Sequence, residues 1–288
     1  ETGVALKGNS GRDSLLSPHT LFEKIWQTHV VADLGGGSAL IAIDRVFLHE
    51  RTGAAALNSM IEAGRRVVDP TRVFAVMDHI VDTRPGRGDA TMMPGGDAFI
   101  TETRAACHAA GITLFDVGDP DQGITHVISP ELGIVLPGCT LIAPDSHTCT
   151  QGAMEAGVTA KDMILRLLAD YGAGGGKGHI VEFAGNAVTA LDMEARMTLC
   201  NMATEFAAFS GIIAPDAKTF EYLKGRRYAP DPLPDWSDLH SDAGAVFDRE
   251  ITIDAASIEP MVSWGTSPGQ SISLLGTIPD DADAEALN

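Results

Sequence analysis

The residues best suited to chemistry are three histidines with carboxylates at hand: Asp78-His79, His126 and Asp145-Ser146-His147. A His–carboxylate pair moves protons, because the carboxylate fixes the imidazole tautomer and raises its pKa, so the ring can donate near neutral pH. Asp78 and Asp145 are close in sequence to two of these rings. Adjacent residues of a strand face opposite ways, however, so the sequence leaves the true partners open. Imidazoles with carboxylates are equally the donor set of a mononuclear metal site with an open water position, although no H-x-H or H-E-x-x-H spacing accompanies them. Other arrangements carry less. Ser146 lacks the G-x-S-x-G elbow of a hydrolase nucleophile. The run Gly174-Gly175-Gly176-Lys177-Gly178 lacks the spacing of a phosphate cradle and precedes a strand, so it is expected to be a connection needing positive φ. Cys107, Cys139, Cys149 and Cys200 form no C-x-x-C and are expected to be reduced, buried hydrophobes.

These residues need elements to hold them, and the apolar spacing supplies an α/β pattern. LFEKIWQTHVV has helical spacing, and ALIAIDRVFLHE reads as a buried strand running into polar residues. Helix AALNSMIEAGRR, strand RVFAVMDH, a Gly/Pro/Asp-rich loop over residues 82–97, helix AFITETRAACHAAG, and strands ITLFDV and CTLIAPDS follow. The second half continues with helix TAKDMILRLLADYG, strand HIVEFAG, helix MEARMTLCNMATEFAAFSG, the short helix TFEYLKG and strand FDREITID. Alternating strands and helices predict mainly parallel sheets flanked by helices, with ligands beyond the carboxyl ends of the strands. Asp44-Arg45, Asp78-His79 and Asp145-Ser146-His147 all stand where a predicted strand stops, which would align them on one rim. The expected organisation is a loose arm over residues 1–19, a first α/β domain over 20–155 and a second over 156–288.

The chain has 288 residues, 44% hydrophobic and 20% charged, which fits a folded enzyme of one large or two ordinary domains. Its 20 Lys+Arg against 39 Asp+Glu give a formal charge of -19, which opposes binding to nucleic acid or anionic lipid. With no signal-peptide core and no apolar run long enough to cross a bilayer, a cytoplasmic location is expected. From residue chemistry alone, an acid–base enzyme for a small polar substrate and a non-catalytic binding protein both remain open.

The string TLFEKIWQTHVV, IDRVFLHE, FAVMDH, DPDQGITHVISPELGIVLPG, PDSHTCTQGA, VTAKDMIL, GHIVEFAG, MEARMTLCNMATEF, APDAKTFEYLKGR and SWGTSPGQ runs in order from about residue 20 to about residue 279. It resembles the large subunits of 3-isopropylmalate dehydratases, in the aconitase family. The resemblance implies a hydro-lyase that reversibly dehydrates a small hydroxy-dicarboxylate in leucine-type metabolism, with a [4Fe–4S] cluster as Lewis acid and histidines moving protons. By motif, Asp78 and His79 match the pair near the departing hydroxyl, His126 would pair with Asp145, and His147 with Glu205. Ser146 and Asn201 match positions near cluster or substrate, and Arg45 a rim position that could hold a substrate carboxylate. The cluster cysteines of the family lie in a further domain, and none of the four cysteines here matches them. Only Met154-Glu155-Ala156 stands where relatives carry a further helix and strand. The general base is implied to be a serine of a swivelling domain, a separate small-subunit partner in a heterodimer, so this chain is expected to be inactive alone. The alternative is a cluster-free paralogue that binds or scaffolds small acids without chemistry.

Overall fold

A computed structural model describes the backbone of residues 2–7 together with residues 17–149 and 159–279. In chain order the elements are β1 (Thr2–Lys7), α1 (Leu21–His29), β2 (Val30–Gly35), β3 (Ser38–Ile41), β4 (Arg45–His49), α2 (Gly53–Glu62) and β5 (Val73–Val76). Next come α3 (Gly96–Ala110), β6 (Thr113–Phe115), α4 (Thr125–Glu131), β7 (Leu141–Ile142), α5 (Ala160–Tyr171), β8 (Ile180–Gly185) and α6 (Asn186–Ala190). The last are α7 (Met193–Asn201), β9 (Ser210–Ile212), α8 (Ala217–Leu223), β10 (Arg249–Ile253), β11 (Met261–Ser263) and β12 (Ser271–Ser273). Met154-Glu155-Ala156 lies outside the described residues.

The elements form two compact units that do not follow a linear boundary near residue 155. The smaller comprises Ala42–Thr148 with Gly225–Pro232, and the larger comprises the described residues up to Ile41, those from Cys149 to Lys224, and those from Leu233 onward. The smaller unit is built on one parallel sheet in the order β6-β5-β4-β7. Side chains alternate across it: Phe47, Phe74, Val76 and Phe115 pack with Ile128 and Ile134 on one face. Ala75 meets Ala54, Leu57, Ala106, Cys107 and Ile112 on the other. The Phe47 and Phe74 rings stack with centroids 5.5 Å apart, and Tyr228 stands edge-on to Phe74 at 5.4 Å. The chain enters at β4, adds β5 and β6 on one side, then returns to β4's other side as β7. That reversal is a topological switch point, and the crevice beyond the carboxyl ends of β4 and β7 is where such a sheet binds ligands.

The larger unit carries a mixed sheet, β10-β1-β8-β9, in which β1 runs antiparallel to both neighbours and only β8 and β9 are parallel. Thr2–Lys7 is therefore a paired strand rather than part of a loose arm. The core joins Ile164, Leu165, Leu167 and Leu168 of α5 to Val181 and Phe183 of β8, Leu199 of α7 and Ile251 of β10. ALIAIDRVFLHE, expected as one strand, is two: β3 pairs with β2 as a hairpin, the chain breaks over residues 42–44, and β4 starts at Arg45. α7 also ends earlier than its apolar spacing implied. The chain turns after Asn201, passes through Ala207 at φ 63, and buries Phe206 completely. A Cβ at Gly175 would lie 2.3 Å from the Phe206 ring and one at Gly176 2.7 Å from it. Those two glycines admit an aromatic ring, while Gly172 and Gly178 supply the positive φ of the turn.

Candidate active site

Three carboxyl-end turns of the small parallel sheet converge on one group of side chains. β4 ends in His49 and leads into Glu50, β5 leads into Asp78 and His79, and β7 leads into Asp145. α4 adds His126 from its first turn.

His79 is held at both ring nitrogens. Nδ1 is 2.6 Å from Asp78 Oδ1 and Nε2 is 3.0 Å from Asp145 Oδ2. A carboxylate at each ring nitrogen can accept from an N–H, an arrangement that favours the imidazolium over the neutral ring. Burial alone would lower the His79 pKa, but the hydrogen bond and charge of Asp78, then the charges of Asp145 and Glu50, carry it above the ordinary imidazole value. The Asp78 side chain, 2% exposed, also accepts from the Thr125 N–H at 3.0 Å and the Thr125 hydroxyl at 3.2 Å.

Asp145 joins two imidazoles: its Oδ1 accepts from His126 Nε2 at 2.9 Å and from the His147 N–H at 2.8 Å. Burial would raise this carboxyl, yet the His147 N–H and the two imidazoles together hold it below the usual carboxylate range. Because His126 donates through Nε2, its buried Nδ1 is an acceptor without a partner among the described residues. His147 Nδ1 is 3.0 Å from the Ser146 hydroxyl.

Two members of the group were not singled out from the sequence. The His49 ring is 4% exposed and stacks on His79 with centroids 3.9 Å apart. Its Nε2 donates to the Pro144 carbonyl at 3.1 Å across the switch point, and its buried Nδ1 has no partner among the described residues. Glu50, fully buried, accepts from the N–H groups of Asp78 at 3.1 Å, His79 at 2.8 Å and Ile80. The signal was present as a polar His-Glu pair closing an apolar run. It was masked because Asp44-Arg45 looked like the end of that run. Arg45 instead starts β4, at the amino end of the strand, where it donates from Nε to Ile134 O at 3.2 Å and from Nη1 to Asp44 O at 2.8 Å. It is not a rim residue.

His49, Glu50 and His79 each place a possible ligand atom within 4.8 Å of the others. Stacked rings direct their lone pairs in parallel rather than at a common ion, and Glu50 is committed to three amides. The group is built as a hydrogen-bonded acid–base cluster. Asn201 and Glu205 belong to the larger unit, at the end of α7 and in the turns after it. There Cys149 Sγ lies 3.0 Å from Thr204 Oγ1 and 3.5 Å from the Asn201 carbonyl. The expected His147–Glu205 pair thus draws one residue from each unit.

Sequence comparison agrees with this architecture. The model of the aconitase family (aconitate hydratase) matches residues 23–156 and 151–288. The chain belongs to the aconitase family. Its two matched stretches meet at residues 151–156, around Met154-Glu155-Ala156. The family is one of hydro-lyases that usually carry a [4Fe–4S] cluster. The described cysteines do not fit that group. Cys107 is buried in the core of the smaller unit, its thiol pushed up to about 11 by burial and then by Asp116. Burial also raises Cys139, Cys149 and Cys200, the last 3% exposed. Low-pKa thiolates converging on one point are what a cluster needs, and no three cysteines converge among the described residues. No helix among those residues is long and apolar enough to cross a membrane.

Proposed function

We propose that this chain is the proton-handling part of a 3-isopropylmalate dehydratase type of hydro-lyase, acting on a small hydroxy-dicarboxylate of leucine-type metabolism. The observation that carries this reading is the His79 ring held between the carboxylates of Asp78 and Asp145 at the carboxyl end of β5, beside a switch point. In dehydration a C–H bond and a C–OH bond break, a C=C bond forms, and the departing hydroxyl needs a proton to leave as water. His79 supplies that proton, and Asp78 and Asp145 hold the ring in line while it is delivered. Asp145 couples His79 to His126 through its two oxygens, so the two imidazoles share one carboxylate. Ser146 and His147 complete the substrate surroundings that the smaller unit offers. In this reading the carbon-bound proton is taken by a serine of a small-subunit partner, and the cluster ligands come from outside the described residues.

The test is anaerobic co-expression of the chain with the proposed small-subunit partner, followed by turnover of 3-isopropylmalate. Formation of the unsaturated acid supports the proposal. The unsuited cysteines favour a second reading, a non-catalytic small-acid binder, which predicts saturable dicarboxylate binding and no turnover in the same preparation.

A further inference from the structure

We infer that Glu50 is a positioning residue: its carboxylate gathers the three consecutive N–H groups of residues 78–80 and thereby sets the turn that presents His79 between Asp78 and Asp145. This rests on the reading of His79 as the acid. In a continuing strand Asp78 and His79 would face opposite sides of the sheet, and no 2.6 Å contact between their side chains could form. The chain leaves β5 at Val76, and the N–H groups that would otherwise continue the ladder point at Glu50 instead. A carboxylate with 0% exposure is retained only where its oxygens are hydrogen-bonded, and here both are. Glu50 is itself anchored, because its carbonyl accepts from the buried Thr103 hydroxyl of α3 at 3.2 Å. His49, next to it, lays its ring on that of His79. The charged and titratable groups facing His79 are therefore Asp78, Asp145, Glu50 and His49, and Glu50 is the one that binds the backbone N–H of His79 itself.

The test uses the full chain with isotope-labelled histidine and measures the His79 ring titration together with amide exchange at residues 78–80, without substrate. In the unaltered chain these three amides should exchange about 10-fold or more slowly than loop amides of residues 83–88. Glu50→Gln keeps the shape but turns one acceptor into a donor and removes the charge. The three amides should then exchange about 10-fold or more faster, and the His79 midpoint should fall toward that of a free imidazole. Glu50→Asp, which keeps the charge on a shorter stem, should restore part of the midpoint while leaving the amides exposed. Unprotected amides in the unaltered chain, or a His79 midpoint unmoved in E50Q, would overturn the inference. Should E50Q not fold, E50D and the unaltered chain still decide it. No turnover enters this readout, so failure of the dehydratase reading and failure of the positioning role are separately visible.

Discussion

Replacing Asp145 by Asn should remove the charge that joins His79 to His126 while leaving the side chain's size unchanged. Three donors converge on this carboxylate: His79 Nε2 at 3.0 Å, His126 Nε2 at 2.9 Å and the His147 N–H at 2.8 Å. An asparagine offers one accepting oxygen, so at least one imidazole N–H must face an amide N–H. A hydrogen bond to a charged group contributes about 1.5–3 kcal/mol, and partial solvent access at His79 places the loss near 2 kcal/mol. For a domain of this size that is a fall of about 4–8 °C in Tm. The loss should also depend on pH. His79 has a folded pKa above its unfolded value, so its stabilisation is complete below pH 6.5, the ordinary imidazole value, and is lost as pH rises through the higher folded value. Asp145 is depressed below 3.8, so its contribution is present above that pH and is lost as pH falls through the lower folded value. The D145N penalty should therefore be about 2 kcal/mol at pH 6 and should shrink toward pH 9 as the raised imidazolium loses its proton, leaving a neutral imidazole beside the ionised carboxylate. Trp26, Trp236 and Trp264 all lie in the larger unit, so tryptophan fluorescence would miss the effect. Urea titration followed by far-UV circular dichroism, with hydrogen exchange on peptides spanning residues 73–80 and 124–148, reads the correct unit. An equal penalty at pH 6 and pH 9, or none at either, would refute the placement of charge at this cluster.

Three further outcomes follow from the packing. Gly175→Ala should destabilise the larger unit by about 1–3 kcal/mol by forcing a methyl into Phe206, whereas Gly174→Ala, with open space around it, should leave the urea midpoint nearly unchanged. Phe47→Ala should cost about 3–5 kcal/mol, because the ring is fully buried and stacked on Phe74; comparable midpoints for mutant and parent would show the cluster to be loosely packed. Cys107 and Cys200 should resist a thiol-specific reagent at pH 8 until urea is added, their thiols being buried and raised, and prompt labelling in the native chain would contradict that burial.

Much of the fold was legible because local and global signals agree. Thr20 and Glu23 form a capping box at the start of α1, with the Thr20 N–H 2.8 Å from Glu23 Oε2, where the helical spacing begins. Asp78, His79 and Asp145 were legible because they directly follow short apolar strands. The breaks are physical. ALIAIDRVFLHE is apolar on both sides of Asp44, so periodicity does not show that β3 belongs to a hairpin and β4 to a sheet, and it points to Arg45 where His49 stands at the strand's carboxyl end. The α7 spacing continues past Asn201, and only the pocket made by Gly175 and Gly176 reveals why Phe206 leaves the helix. β1 pairs with strands almost the whole chain away, which no local pattern encodes. α4, with seven residues and Pro130 in its last turn, is too short for its spacing to stand out.

The most direct test of the proposed function is the pH dependence of kcat/KM for dehydration of 3-isopropylmalate, measured with the proposed small-subunit partner present and compared with His79→Gln. If His79 is the acid, the rate of the parent enzyme falls on the alkaline side, above pH 6.5, as the raised imidazolium loses its proton. H79Q should lose that limb together with about 10²–10⁴-fold in rate. A mutant that keeps both the rate and the alkaline limb would contradict the assignment of proton transfer to this cluster.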